Sequence, residues 1–233
     1  MTEEISKQIH RPTGTDASAA IRMSAKGRRQ QLIETALRLF SQKGFRGTTT
    51  KEIAQAAGVT EAIIFRHFKS KDDLYAAILD YKACEVKLNE KLDELRAHAE
   101  RNDDKKLFRT LAAKILAHHR QDRDFLRLML YSALEKHELA RSFRMKQMRP
   151  LHNFLRDYIT RRQREGAFRN CDATAAVQSF IGAVLHQSMM TTLFNADFVK
   201  LSDKDAIENF TCLFLDGLRH RPARQRAKKS KTE

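Results

Sequence analysis

Apolar residues in the first third of the chain recur three and four positions apart, the spacing of one buried helical face. Leu32, Ile33, Ala36, Leu37 and Phe40 predict a helix from near Ser24 to about Lys43, closed by Gly44 as a left-handed cap, with Phe45 turning inward. Thr48, Thr49 and Thr50 precede a short helix, KEIAQAA, and one of these hydroxyls is expected to cap it. Gly58 ends that segment. Thr60 can cap a second short helix, EAIIFRHF, and Ser70 can cap a long one from Lys71 to about Ala99. Asp72 and Asp73 in its first turn complement the helix dipole.

Between Gly58 and Gly166 there is no glycine, and Pro150 is the one proline. A span so poor in breakers and rich in Leu, Ala, Arg, Glu and Lys reads as helix after helix. The periods place helices near 105–120, 124–135 and 139–164, the last kinked at Pro150, then from an Asp172 cap to about Asn195 and from about Ser202 to Arg219. No stretch alternates with the period of a strand. The expected fold class is all-α, with an N-terminal three-helix unit followed by a C-terminal helical bundle. The expected divisions are a disordered arm over 1–22, a first domain over 23–80, a second over 81–219 and a basic disordered tail over 220–233.

Charge narrows the partners. The formal net charge is +15 over 233 residues. The first 80 residues carry a net +4, residues 81–218 a net +5 and the last fifteen a net +6. Such an excess favours a polyanion, nucleic acid or membrane surface, without choosing between them. The tail suits added phosphate affinity, weak contact with anionic lipid or simple solubility. No apolar run reaches the roughly 20 residues of a membrane span, and the N-terminus lacks the apolar region of a secretory signal. A cytoplasmic protein that is not membrane-bound is expected. Cys84, Cys171 and Cys212 are too scattered for a disulfide framework or zinc site, so no metal and no cofactor are expected. No nucleophile elbow, phosphate-binding glycine loop or HExxH is present, and an enzyme is not expected.

The informative stretch is TTTKEIAQAAGVTEAIIFRHFKSK, residues 48–71. Two helices of about seven residues meet at a turn built on Gly58. Ala54 lies four residues before that glycine and Ile64 six after it, a spacing that suits a helix-turn-helix. A small Ala54 lets the helices cross closely, and Ile53, Ala57, Val59 and Ile64 supply the little core. Lys51, Arg66, His67, Lys69 and Lys71 gather around the second helix, which carries Glu61, Ala62 and Ile63 outward.

The segment from about Arg28 to Leu79 resembles the DNA-binding domain of the TetR (tetracycline-repressor) family. The helix LIETALRLFSQKGF, the threonines before KEIAQAAGV and the run FRHFKSKDDLYAAI carry the resemblance. It implies that Thr49, Lys51, His67 and Lys71 grip phosphates and that Thr60, Glu61, Ala62, Ile63 and Arg66 lie on or beside the recognition helix. Arg66 suits a bidentate pair with guanine. Glu61 suits either a cytosine amine or a solvent-facing charge at the helix start. Phe65 stands where many members have Tyr, and it can only pack or touch a thymine methyl. The implied partners are double-stranded DNA with a near-palindromic operator, a second copy of the chain joined through the last two helices, and a small apolar inducer. The implied activity is that of a ligand-responsive repressor. A transcriptional activator of the same fold and a helical module that binds protein instead of DNA are the alternatives. Candidates for the ligand pocket are Phe108, His118, His119, Phe125, Met129, Tyr131, Phe154, His186, Met189 and Met190, whose methionine and aromatic character suits apolar ligands.

Overall fold

The computed structural model describes residues 23–219 apart from 87, 195, 197 and 199, and the side chains of 85–91 lie outside it. The expected N-terminal arm and basic tail therefore fall outside the described residues. The described residues form these helical segments: α1 (Ala25–Lys43), α2 (Thr50–Ala56), α3 (Glu61–His67), α4 (Lys71–Val86), α5 (Leu88–Glu100), α6 (Asp104–Gln121), α7 (Arg123–Leu134), α8 (Glu138–Arg164), α9 (Ala173–Thr192) and α10 (Asp203–Leu218). No strand occurs among the described residues; a single bridge joins Phe168 to Arg219. No described helix is long and apolar enough to cross a membrane.

Side chains set most helix starts. Ser24 Oγ accepts from Gly27 N at 3.1 Å. Thr49 and Glu52 form a reciprocal capping box that satisfies an orphan amide at each end of the first turn of α2. Ser70 Oγ accepts from Asp73 N at 3.1 Å, and the Asp73 carboxylate accepts from Lys69 N at 2.9 Å. Asp103, Asp122, Asp172 and Ser202 cap α6, α7, α9 and α10 in the same way. Two expectations need correction. Thr60 occupies the cap position of α3, but its hydroxyl makes no capping bond. Gly44 has the positive φ expected, 76°, yet its ψ of 172° lies outside the left-handed helical well, at the start of the turn over residues 44–47.

The buried residues separate into two cores. The first holds Leu32, Ile33, Leu37 and Phe40 of α1, Ile53 and Ala54 of α2, Ile64 of α3, and Leu74, Tyr75 and Ile78 of α4. It also takes Phe125 and Leu128 of α7 and Ala140 at the start of α8. The second holds Leu92 and Leu95 of α5, Leu107, Phe108 and Leu111 of α6, Leu155 and Ile159 of α8, Val177, Phe180 and Val184 of α9, and Leu215 of α10. The stretch expected as one helix from Lys71 to about Ala99 is helical on both sides of residue 87. Helix α4 packs into the first core, α5 into the second, and residue 87 between them is not described.

Pro150 sits inside α8, where it has no N–H to give to the carbonyl of Lys146. Buried polar groups cross-link the second core. Tyr158 and Arg162 both hydrogen-bond the Asp104 carboxylate, Arg162 through two nitrogens at 3.0 and 2.9 Å. His119 Nδ1 lies 2.9 Å from Ser188 Oγ.

Candidate nucleic-acid interface

The α2–α3 pair is built around a tight turn. Gly58 adopts φ 66°, a conformation costly for other residues. Val59 N donates to Ala54 O at 2.9 Å, and Gln31 of α1 donates its side-chain amide to Ala57 O at 3.2 Å, tying the turn to the first helix. Ile53 and Ile64 are fully buried, Ala54 and Ala57 nearly so, and Val59 packs against them. Phe68 closes the underside, with the Arg29 guanidinium 4.9 Å from its ring centre.

This packing leaves one face of α3 free. Ala62, Phe65 and Arg66 are exposed, as is Lys69 just beyond the helix, while Ile63 and His67 are half-buried. Phe65 is a large apolar side chain with half its surface in water. Thr49, Lys51 and Thr60 are exposed on the same two-helix unit. Three charged residues have prior engagements. Thr50 Oγ1 donates to Glu61 at 2.5 Å, which binds the start of α2 to the start of α3 and competes with any base. Lys71 Nζ donates to the carbonyls of Phe45 and Thr48 at 2.9 and 3.0 Å and lies 4.2 Å from the Phe45 ring centre, so two of its three protons hold the α1–α2 loop. Glu52 is held down to about 2 chiefly by its hydrogen bond to Lys43, then by Thr49, and stays ionised.

Helix α7 grips the same loop from the other side. Its polar residues at 124, 127 and 131, with Glu135 at its C-terminal cap, follow helical spacing and therefore share a stripe. Asp124 accepts from the buried Ser41 hydroxyl at 2.9 Å. Arg127 donates to Ser41 O at 3.0 Å and Tyr131 to Gln42 O at 3.1 Å, which satisfies carbonyls at the C-terminal end of α1. The Glu135 carboxylate accepts from Phe45 N and Arg46 N at 3.0 and 3.1 Å. His137 stacks on Tyr75 with ring centres 4.3 Å apart and meets Phe45 edge-on at 4.4 Å; burial lowers its pKa. Sequence reasoning missed this clasp. In the sequence, the 124/127/131/135 stripe is indistinguishable from a solvated helix face.

The pocket candidates are not brought together. Met129 packs against the first core, Phe125 is buried within it, and Tyr131 belongs to the clasp. Their helix faces α1 instead of a cavity. Phe108 is packed edge-on against Phe180 and Phe214 at 5.0 and 4.8 Å, deep in the second core, and Phe154 packs against that core. His186 is exposed on α9, Met189 and Met190 are half-buried, and His118 is half-buried beside His119. His119 is held neutral, its pKa lowered to about 4, mainly by burial and then by His118.

A three-helix unit with a helix-turn-helix, an exposed second helix and a separate helical bundle behind it is the architecture of a DNA-binding regulator. Two family models match. Residues 32–78 match that of the "Bacterial regulatory proteins, tetR family", and residues 106–216 match that of the "AefR-like transcriptional repressor, C-terminal domain". The chain belongs to the TetR family of transcriptional regulators.

Similarity to relatives in sequence covers only a short stretch of the chain. The chain is 49% identical over 57 residues to the transcriptional regulator AcrR of Shigella flexneri, covering 24% of this chain and 26% of that one. It is 40% identical over 76 residues to TtgR of Pseudomonas putida, covering 33% of each. The matched stretch thus spans a quarter to a third of these relatives. Solved structures align far more extensively at lower identity. A TetR-family regulator from Shewanella sp. PV-4 shares 24% identity with a TM-score of 0.57, covering 83% of this chain and 99% of the other. AibR in complex with isovaleryl coenzyme A and operator DNA shares 22% with a TM-score of 0.62, covering 80% and 97%. These likenesses establish the fold.

Proposed function

We propose that the chain is a homodimeric repressor that reads a near-palindromic operator and is released from it by a small molecule bound in the second core's half. The observation that carries this reading is the free face of α3, with Ala62, Phe65 and Arg66 exposed above a turn fixed by Gly58. A helix presented in this way enters the major groove, and two copies would place their recognition helices about one DNA turn, roughly 34 Å, apart. Thr49, Lys51 and His67 supply phosphate contacts around it. Lys71 contributes mainly by holding the loop, with one proton left for a phosphate. Dimerisation through α9 and α10 is supported by Leu185 and Leu213, both exposed there, Leu213 at 72%. AibR, of the same fold, was solved with an acyl-coenzyme A and operator DNA together, which favours the effector-responsive reading.

Selection of bound duplexes from a random DNA library tests the proposal. An enriched palindrome is expected, with a log–log salt slope of about −0.9 per phosphate contact. Failure to enrich any sequence, with weak binding that the residues beyond 219 reproduce alone, refutes it.

A further inference from the structure

The polypeptide passes between the two cores at three places. One is between α4 and α5, one is the α6–α7 corner at Asp122, and one is inside α8. In α8, Ala140 and Phe143 pack with the first core, whereas Leu151 and Leu155 pack with the second. The seven residues between Phe143 and Leu151 include no buried side chain. Pro150, at the end of that stretch, removes a backbone hydrogen bond from the helix there.

Along this bridge runs an open groove of about 320 Å³ lined by Met145, Lys146, Arg149, Pro150 and Asn153. These positions fall on one helical stripe. All five lining residues belong to α8, so the groove is open to water along its outer side. Met145, which lines the groove, is 55% exposed, and the neighbouring Met148 is 45% exposed. The cations of α8 are not equivalent. Arg141 pairs with Glu138 at 2.7 Å, Arg144 donates to Ser132 Oγ at 2.9 Å and Arg156 pairs with Asp157 at 3.0 Å. Lys146 and Arg149, the two that line the groove, make no ion pair or hydrogen bond with any described residue.

We propose that this groove binds a small anionic amphiphile, its carboxylate or phosphate between Lys146 and Arg149 and its hydrocarbon body along Met145 and Pro150. The inference rests on the effector reading above and names the chemical class of the effector. Two unpaired cations one helical turn apart offer an anionic head charge-assisted hydrogen bonds, fork-like from Arg149. Methionine adapts to an alkyl chain of varied shape. The site occupies the segment of α8 that joins the two cores, so occupancy biases how one core is set against the other. The first core carries the recognition helix, and only a ligand that favours one of two arrangements can shift DNA affinity.

The test is calorimetric titration of the full chain with octanoate, octyl phosphate and octanol, repeated on the Lys146→Ala/Arg149→Ala double variant and on Met145→Glu. These substitutions are at exposed positions and should leave helical content unchanged. At least one anion is expected to bind tenfold or more tighter than octanol, and the preference between octanoate and octyl phosphate identifies the head group. Both variants are expected to lose tenfold or more, the second because it adds a charge of the ligand's own sign. Equal binding of octanol, or undiminished binding to the double variant, overturns the proposal. Fluorescence anisotropy of a library-selected duplex then separates the two claims. Failure to select any duplex, with anion binding intact and variant-sensitive, refutes the regulator reading and leaves the groove standing. A selected duplex with no variant-sensitive anion binding does the reverse.

Discussion

Replacing Glu135 with Ala should loosen the α1–α2 loop and lower both stability and DNA affinity. The carboxylate accepts from two backbone amides, Phe45 N at 3.0 Å and Arg46 N at 3.1 Å. Hydrogen bonds to a charged acceptor contribute about 1.5–3 kcal/mol each when sheltered, and a buried donor left without a partner costs about 1–3 kcal/mol. The two amides are not equally sheltered. The Phe45 bond is part-buried and the Arg46 bond is exposed, so water recovers most of the second loss. The net cost is therefore about 2–3 kcal/mol. For about 200 ordered residues a kcal/mol shifts Tm by about 2–4 °C, which places the expected fall between about 4 and 12 °C. Thermal unfolding followed by far-ultraviolet circular dichroism measures it. Glu135→Gln keeps one acceptor oxygen without the charge and should lose about half as much. Gly44 adds an internal control. A Cβ there would overlap the Glu135 carboxylate, and its φ of 76° strains any other residue. Gly44→Ala and Glu135→Ala together should therefore cost less than the sum of the two alone, because removing the carboxylate relieves the overlap but not the strain. A Tm for Glu135→Ala within 1 °C of the parent, or strict additivity of the pair, would refute the clasp as an energetic contact.

The helices were legible because their signals are local. The Leu32–Phe40 stripe, a threonine cap ahead of α2 and the Asp172 cap each operate within one or two turns, and each is found where the spacing puts it. The helix-turn-helix was legible for the same reason, since Ala54, Gly58 and Ile64 make their contacts within a dozen residues. What escaped was the assignment of α7. Phe125 and Met129 have the chemistry of a ligand pocket, and nothing local indicates whether α1 or a cavity will face them. The contacts that decide it, from Ser41 to Asp124 and from Arg46 to Glu135, span more than 80 residues. The structural role of Lys71 is hidden in a related way. A lysine near a DNA-binding helix reads as a phosphate ligand, but the carbonyls of Phe45 and Thr48 lie within its reach and occupy two of its protons. Long-range pairing of polar groups leaves no periodic trace in a sequence, and together with the apolar packing of Phe125 and Leu128 it joins this chain's DNA-reading unit to the rest.

Further expectations concern base reading, packing and pH. Arg66→Ala should relax preference at one base pair by about 1–3 kcal/mol in competition binding with substituted duplexes; a uniform loss across all sequences would make Arg66 a phosphate contact instead. Ala54→Leu should disable operator binding and cost about 1–3 kcal/mol or more, because Ala54 is 3% exposed at the α2–α3 crossing and added methylenes have no space there; an unchanged duplex affinity would show that the crossing is looser than its burial implies. Acid should destabilise the second core through His119. Its folded pKa is lowered to about 4 from 6.5, principally by burial, so between those values the unfolded chain binds a proton that the folded chain does not. Stability contributed by the neutral ring is thus complete above about pH 6.5 and is lost progressively as pH falls towards 4. Substitution by Gln retains both a donor and an acceptor for Ser188, which lies 2.9 Å from the ring nitrogen, while abolishing the titration. The His119→Gln protein should therefore show a flatter dependence of its denaturation midpoint between pH 6.5 and 4 than the parent. Parallel profiles would mean that acid sensitivity arises elsewhere, with half-buried His137, whose pKa burial also lowers, the next group to replace.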